Sequence, residues 1–444
     1  MRRWLIIPLL FAACGSNQSL EHDLDPILLS RAPVQPGGAK LGGLWALVGT
    51  QSGLRPLLVD TAFPLDSLAR GECPSSGPPG WTYTGTMELH DSVTPTAPLR
   101  AAFGNVGLFD ICPGASGDPS VQPVGVMGGP LLTNFSVGFA FPASEIENAS
   151  MTLWPSYPGT DDQLGQDGQV VLHFDARGNI PVAQGNGEAS LTLPSSRVVL
   201  AACAGARQFS TSEPVEACAQ GEAALRASGE DVMLAIGTGE GPLILSQTAW
   251  SRLAGKLGID ANAGTQGPLH TPFEAVPVPA LFATIPRLAI FQGTTDNSWL
   301  GPCTELARAR RIEAVLANQD AGACFQPCDA NEGQAASTRP YIDLGGALAV
   351  AVVSETSDLI LSLNADVATK PRVDGIIGAA TLAGVRLRID YTAQPQARAI
   401  ASCLQPGLRD TCFAAPSCPG LSEQGEQHTC FGQQPRGYAP VCTQ

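Results

Sequence analysis

The stretch GVMGGPLLTNFSVGFAF at residues 125–141 decides the fold, because it recurs at residues 375–391 as GIIGAATLAGVRLRIDY. The two copies align without a gap at an offset of 250 residues. The last seven positions of each copy alternate between apolar and other residues, which is the period of a half-buried β-strand. A repeat of this length predicts two lobes of one topology.

A second pair of related segments precedes the two copies. PLLVDTAFPL contains Asp60 in the first half, and MLAIGTGEGPLIL contains Gly237 in the second half. Because both pairs occur in the same order, we expect an N-terminal lobe at residues 38–195 and a C-terminal lobe at residues 196–402.

The composition indicates a folded, mostly β protein. The 444 residues are 44% hydrophobic and 15% charged, and 49 Gly and 37 Pro separate short β-rich runs at intervals of roughly ten residues. Helices are predicted at residues 246–258 and 304–319, from apolar spacing and end signals. The net charge of −15, without a basic block, argues against nucleic acid as a partner.

The N-terminus resembles a bacterial lipoprotein signal. Arg2 and Arg3 precede the apolar run WLIIPLLFAA, and Cys14 follows it. The resemblance implies removal of residues 1–13 and a lipid on Cys14, with an ordinary secretory signal as the alternative. Residues 14–37 are predicted to form an extended polar tether. We therefore expect an exported protein anchored in the bacterial cell envelope at the outer membrane, with its periplasmic or outward orientation left open.

The number of cysteines is consistent with an exported protein. Beyond Cys14 the chain has an even number, which in an oxidising compartment predicts up to six disulfides of undetermined connectivity. Residues 403–444 are predicted to be a disulfide-rich tail that caps the second lobe, or alternatively a separate binding module. The tail has an odd number of cysteines, so at least one must pair with the body, where Cys303, Cys324 and Cys328 are candidates. The disulfide candidates are Cys73, Cys112, Cys203, Cys218, Cys303, Cys324, Cys328, Cys403, Cys412, Cys418, Cys430 and Cys442.

Neither a metal nor a cofactor is expected. The spacing of Cys324 and Cys328 suits half of a zinc site, but no histidine lies near them with ligand spacing. No nucleophile motif accompanies the histidines either.

At the paired segments the chain resembles the pepsin and retropepsin family of aspartic proteases. Each lobe of that family carries an Asp-Thr-Gly loop and, later, an apolar-apolar-Gly triplet. The resemblance implies a mostly β, two-lobed fold with a few short helices, in which the two threonines brace the loops against each other. It also implies a flap near Tyr83, for which a core position is the alternative. The matching positions are Asp60, Thr61, Ala62 and Gly128 in the first lobe, and Gly237, Thr238, Gly239 and Gly378 in the second.

The second catalytic position of the family is missing. Its mechanism needs two carboxylates about 3 Å apart that share one proton. Gly237 has no side chain, and Ala62 replaces a glycine that lets the loops approach closely. We therefore predict a degenerate site in which Asp60 is a turn former rather than a catalyst. Glu240 or Asp66 is the alternative second carboxylate, and pairing of Asp60 between two chains is disfavoured because the second lobe occupies the partner position.

These observations favour a monomeric protein that is not an enzyme and that binds a peptide or protein segment between its lobes. One alternative is an active aspartic endopeptidase that uses Asp60 and a non-standard second carboxylate. The other is a structural surface lipoprotein without a ligand.

Overall fold

The computed structural model describes about half of the chain. Predictions at other positions, including the helix at 304–319 and the lobe boundaries at 38 and 195, lie outside the described residues. The described ranges are 26–31, 43–50, 53–63, 67–68, 87–90, 101–103, 125–133, 135–142, 147–154, 169–173, 180–182, 191–193, 197–205, 229–271, 277–291, 301–303, 341–365, 372–391, 398–403, 411–412, 438–439 and 441–442.

The chain is mostly β with few helices, as predicted. Its strands are β1 (Ile27–Arg31), β2 (Leu44–Thr50), β3 (Gly53–Val59), β4 (Ser67–Leu68), β5 (Met87–His90), β6 (Ala101–Phe103), β7 (Gly125–Met127), β8 (Ser136–Ala140), β9 (Ala149–Trp154), β10 (Gln169–His173), β11 (Ile180–Val182), β12 (Leu191–Leu193), β13 (Val199–Ala204), β14 (Glu230–Gly237), β15 (Leu243–Ser246), β16 (Thr265–Leu269), β17 (Val278–Phe291), β18 (Tyr341–Val353), β19 (Gly375–Gly378), β20 (Val385–Asp390), β21 (Arg398–Cys403), β22 (Thr411–Cys412), β23 (Tyr438–Ala439) and β24 (Val441–Cys442). The helices are α1 (Gly129–Leu132), α2 (Gln247–Leu257) and α3 (Asp358–Leu363).

Two large sheets organise these strands. The first has twelve strands, in the order β10-β21-β20-β8-β9-β1-β2-β3-β7-β4, with β5 and β6 attached beside β2. The second has eight strands, in the order β16-β17-β13-β14-β19-β15-β18-β24. Two short pairs, β11-β12 and β22-β23, stand apart. The first sheet contains β20 and β21 from the second half of the chain, so it joins the two halves.

The repeat forms the junction between the halves. Strands β8 and β20, which come from its two copies, pair with each other in antiparallel register. Gly138 faces Arg388, its own counterpart at the 250-residue offset, and Val137 and Phe139 face Ile389 and Leu387. Exchanging the two copies of the repeat leaves this set of residue pairs unchanged. A local two-fold axis therefore passes between Gly138 and Arg388. The alternating side chains of both strands are buried, as the repeat predicted.

Helix α2 lies where the sequence predicts a helix. Ser246 caps its start, with the hydroxyl accepting a hydrogen bond from the Ala249 N–H at 3.3 Å. Gly258 ends it in a left-handed conformation at φ 67°. Trp250 and Leu253 are buried on its inner face. The helix therefore packs on the second sheet through the predicted apolar stripe.

Part of the predicted tether is wrong. Ile27–Arg31 forms β1, which pairs with β2 and β9, and Ile27 and Leu29 are buried in the core. The segment ILLS offers enough apolar surface to complete the sheet, so the extended segment joins the fold well before residue 38. The other tether residues, and Cys14, lie outside the described residues.

One of the predicted disulfides is present. Cys203, in β13, and Cys303 are bonded with their Cα atoms 4.8 Å apart. This bond removes Cys303 as a partner for the tail cysteines, which the sequence had left open. Cys403 ends β21, and Val441–Cys442 pairs with β18 of the second sheet. Two parts of the predicted tail thus lie in the large sheets, Cys403 in the first and Val441–Cys442 in the second.

Candidate active site

The two related loops follow equivalent strands. Strand β3 runs into Asp60 and pairs in parallel with β7, whereas β14 runs into Gly237 and pairs in parallel with β19. The two triplets that the resemblance identified thus lie beside the strands that carry the loops. Gly378 closes the second triplet, where an added Cβ would overlap the carbonyl oxygens of Gly241 and Pro242. Only glycine fits at Gly378 without a shift of the backbone.

Two threonines join the loops across the lobe junction, as the resemblance implied. The Thr61 hydroxyl donates to the Ile236 carbonyl at 2.7 Å, and the Thr238 hydroxyl donates to the Val59 carbonyl at 2.7 Å. The Thr238 hydroxyl also accepts from the Thr61 N–H at 3.2 Å. Both threonines are fully buried, so these bonds are shielded from water.

The hydrogen bonds of the loops establish which residues correspond. The Gly129 N–H donates to the Phe63 carbonyl at 2.9 Å, and the Ala379 N–H donates to the Glu240 carbonyl at 2.7 Å. Gly129 and Ala379 are counterparts in the repeat, so Phe63 and Glu240 are counterparts too. The same spacing pairs Asp60 with Gly237 and Ala62 with Gly239. At the last loop position one lobe has an aromatic ring and the other has a carboxyl group.

Asp60 is fully buried at this junction. Burial raises the pKa of Asp60 to about 6, although the Ala62 N–H, which donates to its Oδ1 at 2.9 Å, opposes that rise. The N–H groups of Gly239 and Phe63 and the charge of Arg197 oppose it as well. Its Oδ2 is also buried, and it has no hydrogen-bond partner within the described ranges. The carboxyl group of Asp60 therefore lies among backbone N–H groups from both loops.

Gly237 lies close to Asp60, and neighbouring side chains fill the place where a side chain at position 237 would project. A Cβ added to Gly237 would lie 3.4 Å from Asp60 Oδ1 and 3.3 Å from the Cβ of Ala62, but only 2.7 Å from Ile376 Cγ2. Ala62 does not hold the loops apart, because the cross-lobe threonine bonds form despite its methyl group. The glycine that matters is Gly239, where an added Cβ would lie 2.6 Å from the Cβ of Asp60. The expectation that Ala62 disturbs the approach is wrong.

Glu240 is the second carboxyl group of this region. It is 2% exposed, and neither carboxyl oxygen has a hydrogen-bond partner among the residues that the structure describes. Burial first, and then the negative charge of Asp60, raise the pKa of Glu240 well above its usual range. Asp66, the other carboxylate considered from the sequence, lies outside the described residues, as does Tyr83.

Arg197 is a site residue that sequence reasoning missed. Its buried guanidinium donates from Nε to the Ala62 carbonyl at 3.1 Å, and from Nη1 to the Ser362 carbonyl at 2.8 Å. Its Nη2 donates to the Ser362 hydroxyl at 3.0 Å. Gly43 occupies the related place in the other lobe, where an added Cβ would overlap the Gly239 carbonyl group. An arginine just before a strand gives no local signal that it will be buried.

Tyr391 is a second missed residue. It follows β20, is buried, and is the counterpart of Phe141 in the repeat. Burial and the negative charge of Asp60 raise the pKa of the Tyr391 phenol well above its usual value. Its hydroxyl therefore stays neutral in the folded protein.

Within the described part of the chain, no group of three or more His, Cys, Asp or Glu residues is placed to hold a metal ion. Helices long and apolar enough to cross a membrane are likewise absent from the described residues.

The chain is similar in structure to several solved proteins, at low identity. A basic 7S globulin from soybean is 10% identical, with a TM-score of 0.38 over 85% of this chain and 95% of that one. An aspartic proteinase from Irpex lacteus is 12% identical, with a TM-score of 0.40 over 85% and 97%. Conglutin gamma, a basic 7S globulin from lupine seeds, is 10% identical, with a TM-score of 0.36 over 85% and 95%. The sequence matches no protein-family model and no curated protein.

Proposed function

We propose that the chain is an exported, lipid-anchored protein of the bacterial cell envelope that binds a peptide or protein segment between two aspartic-protease-like lobes, without cleaving it by the two-aspartate mechanism. The observation that carries this proposal is the pairing of Asp60 with Gly237 across the lobe junction. Two-aspartate hydrolysis requires a base and an acid on opposite lobes, and a glycine supplies neither.

Two further features support binding without cleavage. The buried threonine bonds hold the loops rigidly together, and a rigid junction between lobes is a suitable base for a groove that receives an extended chain. Asp60 and Glu240 are almost fully buried, so they lack the access to water that a hydrolytic pair needs.

Peptidase assays test the inactive site. The mature protein is incubated with a denatured protein substrate between about pH 3 and 6, with and without pepstatin, alongside Asp60→Asn and Glu240→Gln. We expect no cleavage above background in any of the three proteins. Cleavage by the unchanged protein that pepstatin blocks and that both variants lose would overturn the proposal in favour of an aspartic endopeptidase.

Peptide-library capture by the full mature chain tests the binding role. We expect enrichment of extended sequences, and competition between enriched peptides for one site. An absence of enrichment would instead favour a structural surface lipoprotein.

Membrane fractionation tests the anchor. The unchanged protein should be recovered with the outer membrane, with a lipid detected on Cys14 by mass spectrometry, whereas Cys14→Ser should be recovered without lipid. Recovery of unmodified protein in the soluble fraction would contradict the anchor and leave the binding role untouched.

A further inference from the structure

The first sheet buries one of its faces and turns the other outward. In β8, β9 and β20 the residues that alternate into the core are buried, and most of those between them are partly or fully exposed. We call this second side the outer face. The residues of it that matter below are Leu28, Gly138, Thr152, Trp154, Arg386 and Arg388.

Trp154 and Arg388 form a contact on the outer face. The guanidinium carbon of Arg388 lies over the indole ring, 4.8 Å from its centroid. Gly138 pairs with Arg388 in register, and a Cβ added to Gly138 would lie 2.6 Å from the Trp154 ring. The glycine therefore lets the indole lie on the sheet, where it stays partly exposed beside a positive charge.

The exposed charges on the described part of the outer face are positive, although the chain as a whole carries a net charge of −15. Arg386 is exposed and Arg388 is partly exposed, whereas Asp390, on the same side of β20, is 6% exposed. Glu147 is exposed, but it precedes β9 at the end away from Trp154. Tryptophan prefers the headgroup level of a membrane, and arginine binds phosphate oxygens. The outer face therefore suits a layer of phospholipid headgroups.

Strand β1 connects the outer face to the N-terminal segment. Ile27 pairs with Met151, three residues before Trp154 in β9. Because the two strands are antiparallel, the chain before Ile27 leaves the sheet in the direction of Trp154, about 10 Å away along the strand. Residues 14–27 span at most about 45 Å when extended. A lipid on Cys14 would therefore keep the Trp154 end of the outer face within reach of the membrane.

We propose that the outer face docks on the phospholipid surface of the membrane, with Trp154 at the headgroup level and Arg386 and Arg388 on lipid phosphates. This inference rests on the proposed lipid anchor, which brings the face to the membrane. The segment between Cys14 and β1 contains Glu21, Asp23 and Asp25, which anionic headgroups repel, so the attraction has to come from the outer face.

Docking in this way orients the lobe junction. Val137 and Leu387, on the buried side of the first sheet, belong to the same core cluster as Val59 and Ile236. The last two residues lead into the loops at Asp60 and Gly237. The loops therefore lie on the side of the sheet opposite to the outer face, and a docked molecule keeps its lobe junction directed away from the membrane.

Vesicle flotation tests the docking. The mature chain with Cys14→Ser, which cannot carry the lipid, is mixed with vesicles of phosphatidylcholine alone or with added phosphatidylglycerol. We expect binding that increases with phosphatidylglycerol, and a loss of about thirtyfold in the partition coefficient when Arg386→Gln and Arg388→Gln are added together. Absence of binding to the anionic vesicles, or equal binding of the protein with and without the two substitutions, would overturn the inference.

Arg252→Gln with Arg372→Gln is the matched control. Both arginines are exposed, pair with Asp374 and Glu355 respectively, and lie outside the outer face. This double variant has the same change in net charge, and we expect it to bind anionic vesicles as the Cys14→Ser protein does. An equal loss of binding in the two double variants would show that net charge alone matters, and it would overturn the inference.

Fluorescence quenching by lipids brominated in their acyl chains tests the position of Trp154. We expect quenching in the Cys14→Ser protein that Trp154→Phe largely removes, and quenching that Trp154→Phe leaves unchanged would overturn the inference. Self-association that Arg386→Gln and Arg388→Gln abolish, without vesicle binding, would instead make the outer face a protein interface.

The anchor and the outer face can fail separately. Vesicle binding by the Cys14→Ser protein does not depend on a lipid, so it would support docking even if mass spectrometry found Cys14 unmodified in the natural protein. A lipid on Cys14 combined with no vesicle binding by the Cys14→Ser protein would leave the anchor standing and overturn the docking.

Discussion

The loop at Asp60 and the loop at Gly237 have the same backbone and different chemistry. Both follow a strand that pairs in parallel with an apolar triplet, and both exchange a threonine hydroxyl bond with the opposite lobe. The side chains differ at the first, third and last loop positions, where Asp60, Ala62 and Phe63 correspond to Gly237, Gly239 and Glu240. The fold therefore forms without a second aspartate, and the threonine bonds are what the two loops have in common.

The two lobes differ most in the charged groups near the junction. Substitution of Arg197 should therefore lower the free energy of unfolding more than the other substitutions below. Arg197→Met removes three hydrogen bonds and the charge that faces Asp60, and we expect it to lower the free energy of unfolding by about 4 kcal/mol. The loss should be greater at pH 7 than at pH 4, because without Arg197 the pKa of Asp60 rises further and its ionisation opposes folding more.

Denaturant titration at both pH values measures this effect. Arg252→Met is the control, since Arg252 forms ion pairs on the surface and its loss should cost less than about 1 kcal/mol. Equal losses of unfolding free energy for the two variants would show that the burial of Arg197 does not increase its contribution to stability.

The third loop position tests whether the two loops tolerate the same atoms. Gly239→Ala places a methyl group 2.6 Å from the Cβ of Asp60, so we expect a loss of about 3 kcal/mol in the free energy of unfolding. Ala62→Gly, at the corresponding position, should cost about 1 kcal/mol or less. Thermal or chemical unfolding of the two variants measures the difference, and similar losses would contradict the asymmetry between the loops.

Substitution of the two threonines tests the hydrogen bonds that both loops make across the lobe junction. Thr238→Val loses one donated and one accepted bond, whereas Thr61→Val loses only the donated hydroxyl bond. We expect losses of about 2 and about 1 kcal/mol in the free energy of unfolding, with a double variant that falls short of their sum. A strictly additive double variant would indicate that the two bonds form independently.

Much of the fold could be predicted from the sequence where the signal is local. The alternation in residues 125–141 and 375–391 predicts β8 and β20, and the cap at Ser246 with the stop at Gly258 predicts α2. Helix α3 is a different case, because its six residues are too few to show a helical period.

Only some of the site residues could be located from the sequence. Asp60, Gly237 and the two threonines can be located from motif order, since each lies beside an apolar strand. Arg197 and Tyr391 cannot, because what makes them site residues is contact with a loop far away in the chain. The insertion of β1 into the sheet was missed for a similar reason, as its partners come from β2 and β9.

The sequence by itself determined the two-lobed β architecture and the absence of an aspartate at position 237, because repeats and motifs are properties of neighbouring residues. The tertiary structure decided what surrounds Asp60. It brought Gly239, Glu240 and Arg197 around a single buried carboxyl group, and only a folded chain shows which oxygens have donors and which do not. Burial and long-range hydrogen bonding set the charge of that group, and neither can be deduced from residue order.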